Sequence, residues 1–153
     1  MTDQKYVLET LRRAGKSAAE QIQTAAQDMT GTQLYAEDGY IPEFKAASER
    51  KNMLERAVGF VCKSSAGRVV RLLQPYDSSV YPQEPEELPA QWGFVWSTDP
   101  EKALRFIALA TSPYATGDCC TESGHVWRSK MDNNTWNPNE YPSGWEDLGE
   151  VTR

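Results

Sequence analysis

The sequence predicts an α+β protein: a long N-terminal helix followed by two small three-stranded antiparallel β modules joined by a short helix. Three observations predict it. Val7, Leu11, Ala14, Ala18, Ile22, Ala25 and Met29 recur at spacings of 4-3-4-4-3-4, which keeps one apolar stripe on a 3.6-residue period. From Val58 the texture changes to alternating, β-branched residues, VGFVCKSSAGRVVRLLQPY, which is strand chemistry. A second stretch of the same kind follows at a nearly constant offset.

Taken in order, residues 1–32 read as the helix. No proline interrupts it, Thr2 or Asp3 can cap its start, and Gly31 supplies a left-handed stop. Its stripe is mostly alanine, and the 11-residue step from Val7 to Ala18 to Met29 favours a straight or slightly right-handed bundle. So thin a stripe is marginal alone in water. The helix therefore needs a partner, either the body of its own chain or neighbouring copies, and self-association through residues 5–30 as a trimer is expected.

Residues 33–56 read as an irregular linker with a short helix over Glu43 to Leu54. Residues 57–97 form the first β module, with Ser64-Ser65-Ala66-Gly67 as hairpin turn, a Pro- and Glu-rich loop, and QWGFVW as closing strand. Residues 98–110 read as the connecting helix, with Thr98 or Asp99 as cap and Pro100 in its first turn. Residues 111–148 form the second module: a Gly117-Asp118 turn, strands CCTE and HVWRSK about Ser123-Gly124, the polar loop DNNTWNPNEYPSG and a final strand at Trp145. The modules run in register. Gly59 matches Gly117, Gly67 Gly124, Arg71 Arg128, Pro82 Pro138 and Trp92 Trp145, at offsets drifting from 58 to 53 residues, as tandem units of one design would.

Composition narrows the function. The chain has 153 residues, 16 Lys and Arg against 22 Asp and Glu, and a net charge of −6, so it lacks the basic footprint of a nucleic-acid binder. No apolar run reaches the roughly 20 residues of a membrane span, and MTDQKYVLETLRR carries no signal-peptide core. Production in a cytoplasm is expected. Cys62, Cys119 and Cys120 lack both a balanced disulfide framework and zinc-site spacing; they read as reduced, semi-buried strand residues. His125 is the one histidine. With no second histidine, no Cys–His pair, no carboxylate pair in an apolar setting and no Gly-rich phosphate loop, no catalytic constellation can be named. The expectation is a non-enzyme without cofactor or metal.

Tyr114, Gly117, Asp118, Gly124, Trp127, Trp136, Pro138 and Trp145 form a pattern that resembles the small chitin-binding, carbohydrate-binding-module type of repeat. Its Asp-Asn-Asn-x-Trp-x-Pro and Tyr-Pro-x-x-Trp version looks like the repeats of phage and prophage tail-region proteins. The resemblance spans roughly residues 57–147. At the positions of Trp127 and Trp136 the first unit has Val70 and Val80 or Tyr81, so its flat aromatic surface is largely missing.

The resemblance implies a glycan ligand, a place in a virion or tail, and contacts with other phage structural proteins. A pyranose offers apolar C–H faces and a hydroxyl rim, so its site needs an exposed aromatic plate beside amide or carboxylate partners. Trp136, Trp127, Asp132, Asn133, Asn134 and Tyr141 are the candidate contacts. The competing reading places aromatics in the core, since a unit this small needs large side chains to bury enough surface; it is preferred for Trp145, Trp92 and Tyr114, and favoured for Trp127. Two function classes follow: a glycan-binding adhesion component, or a purely structural assembly component whose repeats mediate protein contacts.

Overall fold

The computed structural model describes residues 18–151. In chain order they form helix α1 (Ala18–Ala25), α2 (Gly31–Ala36) and α3 (Phe44–Arg50), then strands β1 (Val61–Lys63), β2 (Val69–Leu72), β3 (Trp92–Phe94), β4 (Leu104–Arg105), β5 (Cys119–Glu122), β6 (His125–Ser129) and β7 (Trp145–Glu150). Two sheets result, ordered β1-β2-β3 and β4-β5-β6-β7.

The long N-terminal helix expected over residues 1–32 is corrected. Among the described residues the longest helix is α1, with eight; the part of that expectation on residues 1–17 lies outside them. The helical run tightens to a 3-10 turn at Ala26–Asp28 and turns extended at Met29. The cause lies far along the chain. Ile22 and Ala26 are buried against Val61 and Val69, and the Arg71 guanidinium of β2 donates to the Ala26 and Met29 carbonyls at 2.7 and 2.6 Å. The last carbonyls of the turn are thus satisfied without further helix. Thr30 and Gln33 then form a capping box that starts α2. Gly31 is therefore the first residue of a helix and not the left-handed stop of one. Its glycine serves close approach: a Cβ there would stand 2.2 Å from the Trp96 carbonyl oxygen.

The stretch 33–56, expected as a linker, is instead built into the core. Leu34, Tyr35, Ile41, Phe44, Ala47 and Met53 are all buried. The connecting helix is corrected too. Pro100–Lys102 makes one 3-10 turn, with Asp99 accepting from the Glu101 N–H, and the chain then extends as β4 parallel to β5 through Leu104↔Cys120 and Arg105↔Thr121. The second module is thereby four-stranded and mixed, because β5 has an open side that a neighbouring extended segment can pair.

Three antiparallel strands recur in each sheet. β1-β2-β3 and β5-β6-β7 turn at Gly67 and Gly124, with φ of 85° and 78°, conformations cheap only for glycine. Gly59 donates to the Leu72 carbonyl and Gly117 to the Ser129 carbonyl, and Leu72 and Ser129 sit opposite Trp92 and Trp145. The outer edge of β1 is closed by side chain and loop: the Gln23 amide exchanges two 2.7 Å hydrogen bonds with the Val61 backbone, and Lys63 N–H donates to Pro42. An edge so occupied offers no template for another strand.

One hydrophobic core joins both sheets, with Phe44, Met53, Cys62, Val70, Leu72 and Trp92 from the first half and Tyr114, Cys120 and Trp145 from the second. Across the junction Phe94, Trp96, Tyr114 and Phe106 stack with centroid steps of 6.0, 4.2 and 5.5 Å. Trp145 closes the stack edge-on against Phe106 and Tyr114. The three cysteines are free and buried, and burial pushes each thiol above its ordinary value, which disfavours the reactive thiolate. No helix among the described residues is long and apolar enough to cross a membrane.

Candidate functional site

The loop between β6 and β7 carries most of the candidate contacts, and its own hydrogen bonds decide what it displays. Asn134 is its anchor and is fully buried. Its side-chain oxygen accepts from the Trp136 N–H at 3.1 Å, and its amide donates to Ser129 Oγ at 3.0 Å and the Gly144 carbonyl at 3.1 Å. Its backbone exchanges two bonds with Tyr114. Asn134 therefore leaves the set of ligand contacts expected from the sequence: an amide with three internal partners and no exposed surface holds structure.

With Asn134 below, Trp136 stands outward, 54 % exposed, and Tyr141 beside it, 41 % exposed. Their ring centroids are 5.8 Å apart and the planes are inclined by 52°. The backbone under Trp136 is held from both sides, since its carbonyl also accepts from the buried Trp145 indole N–H at 2.8 Å. The Tyr141 ring lies close over Gly144, where a Cβ would come within 3.0 Å of it. Tyr141 N–H further donates to the Asn137 carbonyl.

Two side-chain bonds pin this loop to the β5–β6 hairpin tip. Asn137 donates to the Glu122 carboxylate at 2.7 Å, and Asn139 to Ser123 Oγ at 2.6 Å. In the first unit the same latch is built with reversed chemistry. Ser64 and Ser65 at the hairpin tip donate to Glu86 and Glu84 of the loop before β3. Sequence reading missed Glu122, Ser123 and Asn139, because a latch between segments about 16 residues apart has no local periodic signature.

The remaining candidates divide. Asp132 and Asn133 are exposed; Asn133 takes a φ of 54° as a turn residue, and Asp132 accepts from the Thr116 N–H at 3.0 Å, a bond that holds its carboxyl below the ordinary range. Trp127 is half-buried, packs against the shared core and donates its indole N–H to the Glu122 carbonyl. It is a supporting ring, and the exposed plate is Trp136 with Tyr141.

His125 on β6 meets Asp147 of β7 at 2.9 and 3.0 Å, with Glu122 and Glu150 opposite it on the neighbouring strands. The Asp147 bond raises the imidazole above its ordinary 6.5 and lowers the carboxyl below 3.8. A raised histidine stabilises fully below the unfolded value and loses that contribution as pH rises through the folded one; a depressed aspartate does so above its unfolded value and loses it on acidification. The pair thus secures the β6–β7 end most firmly between those limits. An NMR titration of this sole histidine is expected to give a pKa above 6.5 that Asp147→Asn moves back down; a value unmoved by the substitution would contradict the pairing.

Chemically, the site offers two apolar ring faces edged by amides and carboxylates. Among the described residues no group of three His, Cys, Asp or Glu side chains is placed to hold a metal. Compared with known proteins, the chain matches no family model, no curated protein and no solved structure.

Proposed function

We propose that the protein binds glycan through Trp136 and Tyr141, as a non-enzymatic, tail-associated adhesion component of a phage or prophage, made in a bacterial cytoplasm and carried in the virion. One observation supports the reading above others: two large aromatic rings stand side by side in solvent on a loop anchored from within by Asn134, Asn137 and Asn139. Water is displaced from such rings by the apolar face of a sugar at reduced ordering cost, because the loop that carries them is already held. The resemblance of Tyr114, Gly117, Asp118, Gly124, Trp127, Trp136, Pro138 and Trp145 to chitin-binding-type repeats supports the same chemistry.

A glycan array probed with wild type and Trp136→Ala tests it. The substitution is expected to abolish binding while shifting stability by no more than about 0.5 kcal/mol, the usual range for an exposed position. Undiminished binding by Trp136→Ala overturns the reading.

The second reading, a structural assembly component whose repeats make protein contacts, is favoured by a different observation. Leu54, Val58, Leu73, Val80 and Tyr81 are exposed in and just before the first β module, where among the described residues no comparable aromatic pair stands. Self-association through residues 5–30, with a trimer as the expected state, is a separate proposal. Ile22, Ala26 and Met29 pack on the chain's own sheet, so the contact would fall on Val7, Leu11 and Ala14, outside the described residues. Avidity would follow, since linked weak sites gain by effective concentration. Light scattering on the intact chain at tens of micromolar is expected to exceed the monomer mass; a monomer refutes self-association.

A further inference from the structure

The inclination of the two exposed rings restricts what kind of glycan can lie on them. A flat polymer surface, such as the face of a crystalline polysaccharide, gains contact area only from plates that share its plane. Here the planes differ by 52° at a centroid separation of 5.8 Å, so a surface lying flat on one ring meets the other obliquely.

The loop that carries the two rings is held from several sides. Trp136 is held through its N–H by Asn134 and through its carbonyl by Trp145. Tyr141 is seated on Gly144, with its backbone bonded to Asn137, and Asn137 is itself latched to Glu122. These bonds fix the backbone that carries both rings, and the Tyr141 ring rests against Gly144, which closes that side to any turn of the ring.

Charge supplies the second restriction. From Asp118 to Glu150 there are seven Asp and Glu against two Lys and Arg, a net −5 beside the whole chain's −6. Of its two cations, Arg128 faces Glu146 at 3.6 Å. Glu140, beside Tyr141, and Asp132 both stand in solvent. A field of this sign repels carboxylated, sulfated or phosphorylated sugars and attracts amines, and salt screens it.

We infer that the Trp136–Tyr141 wedge takes a sugar residue of a single soluble glycan chain that is uncharged or carries free amines, in preference to the flat face of an insoluble polysaccharide or any polyanionic glycan. The inference rests on the glycan-binding reading and adds its ligand class.

Two formats test it on the full chain. One is an array of soluble neutral, amine-bearing, and carboxylate- or sulfate-bearing oligosaccharides. The other is co-sedimentation with cellulose and chitin powders. The expected result is binding confined to neutral or amine-bearing soluble glycans, lost at least tenfold in Trp136→Ala and in Tyr141→Ala, with amine-bearing ligands weakened as salt rises. Sedimentation with a powder that Trp136→Ala abolishes, or array binding dominated by anionic glycans, overturns this inference and leaves glycan binding standing. Binding in neither format overturns both.

Discussion

Replacing Trp145 by alanine is expected to cost about 3–5 kcal/mol, the range for removing a large aromatic from a core. Trp145 is 2 % exposed and meets Phe106 and Tyr114 edge-on at 6.0 and 5.4 Å. It also ends the ring stack through which the two sheets share one core, so the cavity opens where neither sheet alone can close it. The indole N–H adds a polar role by supporting the Trp136 carbonyl. Trp145→Phe is therefore expected to keep most of the packing and lose about 1–3 kcal/mol for the carbonyl left without its donor. Urea denaturation followed by circular dichroism measures both. A Trp145→Ala loss under about 1 kcal/mol would contradict the stack as the joint of the molecule.

Glu86→Ala is expected to be comparably severe, about 3–5 kcal/mol, because it strands a buried charge. The Arg68 and Glu86 side chains are only 9 % and 16 % exposed and meet at 2.9 Å. Arg68 also donates to the Arg105 carbonyl at 2.7 Å, tying the β1–β2 hairpin to β4 of the other sheet, while its Nε has no partner. Once the carboxylate is gone, nothing replaces its charge, and Ser64 Oγ loses its acceptor at 2.7 Å. Replacing both members by apolar residues, Arg68→Met with Glu86→Leu, is expected to recover much of the loss, since an ion pair removed whole leaves no orphan. Thermal unfolding of the single and the double variant checks this. A double variant as unstable as Glu86→Ala would show that the pair's geometry, rather than its stranded charge, carries the effect.

The candidate site was legible in part. Trp136 and Tyr141 belong to a polar loop whose composition already suggested an aromatic set among amides, and they are the rings that loop exposes. Asn134 carries the same chemistry as its neighbour Asn133, yet one is buried with three partners and the other stands in solvent. Nothing within two residues distinguishes them. The difference is made by Tyr114, Ser129 and Gly144, which converge on Asn134 from three separate segments. Glu122 likewise gains its role only because Asn137 folds back to reach it.

By itself the sequence determined the two hairpins, their glycine turns, and the burial of Trp92, Tyr114 and Trp145. Alternation, β-branching and positive-φ turns act within a few residues of one another, so neighbours suffice to specify them. Only the tertiary structure decided where the N-terminal helix breaks, how the segment after Pro100 pairs, and which asparagine anchors the loop. The stripe through Ile22 and Met29 reads as continuous helix until Arg71, 42 to 45 residues later, takes the Ala26 and Met29 carbonyls. Leu104 and Arg105 carry too little pattern of their own to choose between helix and strand, and the open side of β5 chooses for them. Each of these outcomes is fixed by hydrogen-bonding groups that become neighbours only once the chain has folded, and a backbone satisfied at long range overrides its local preference.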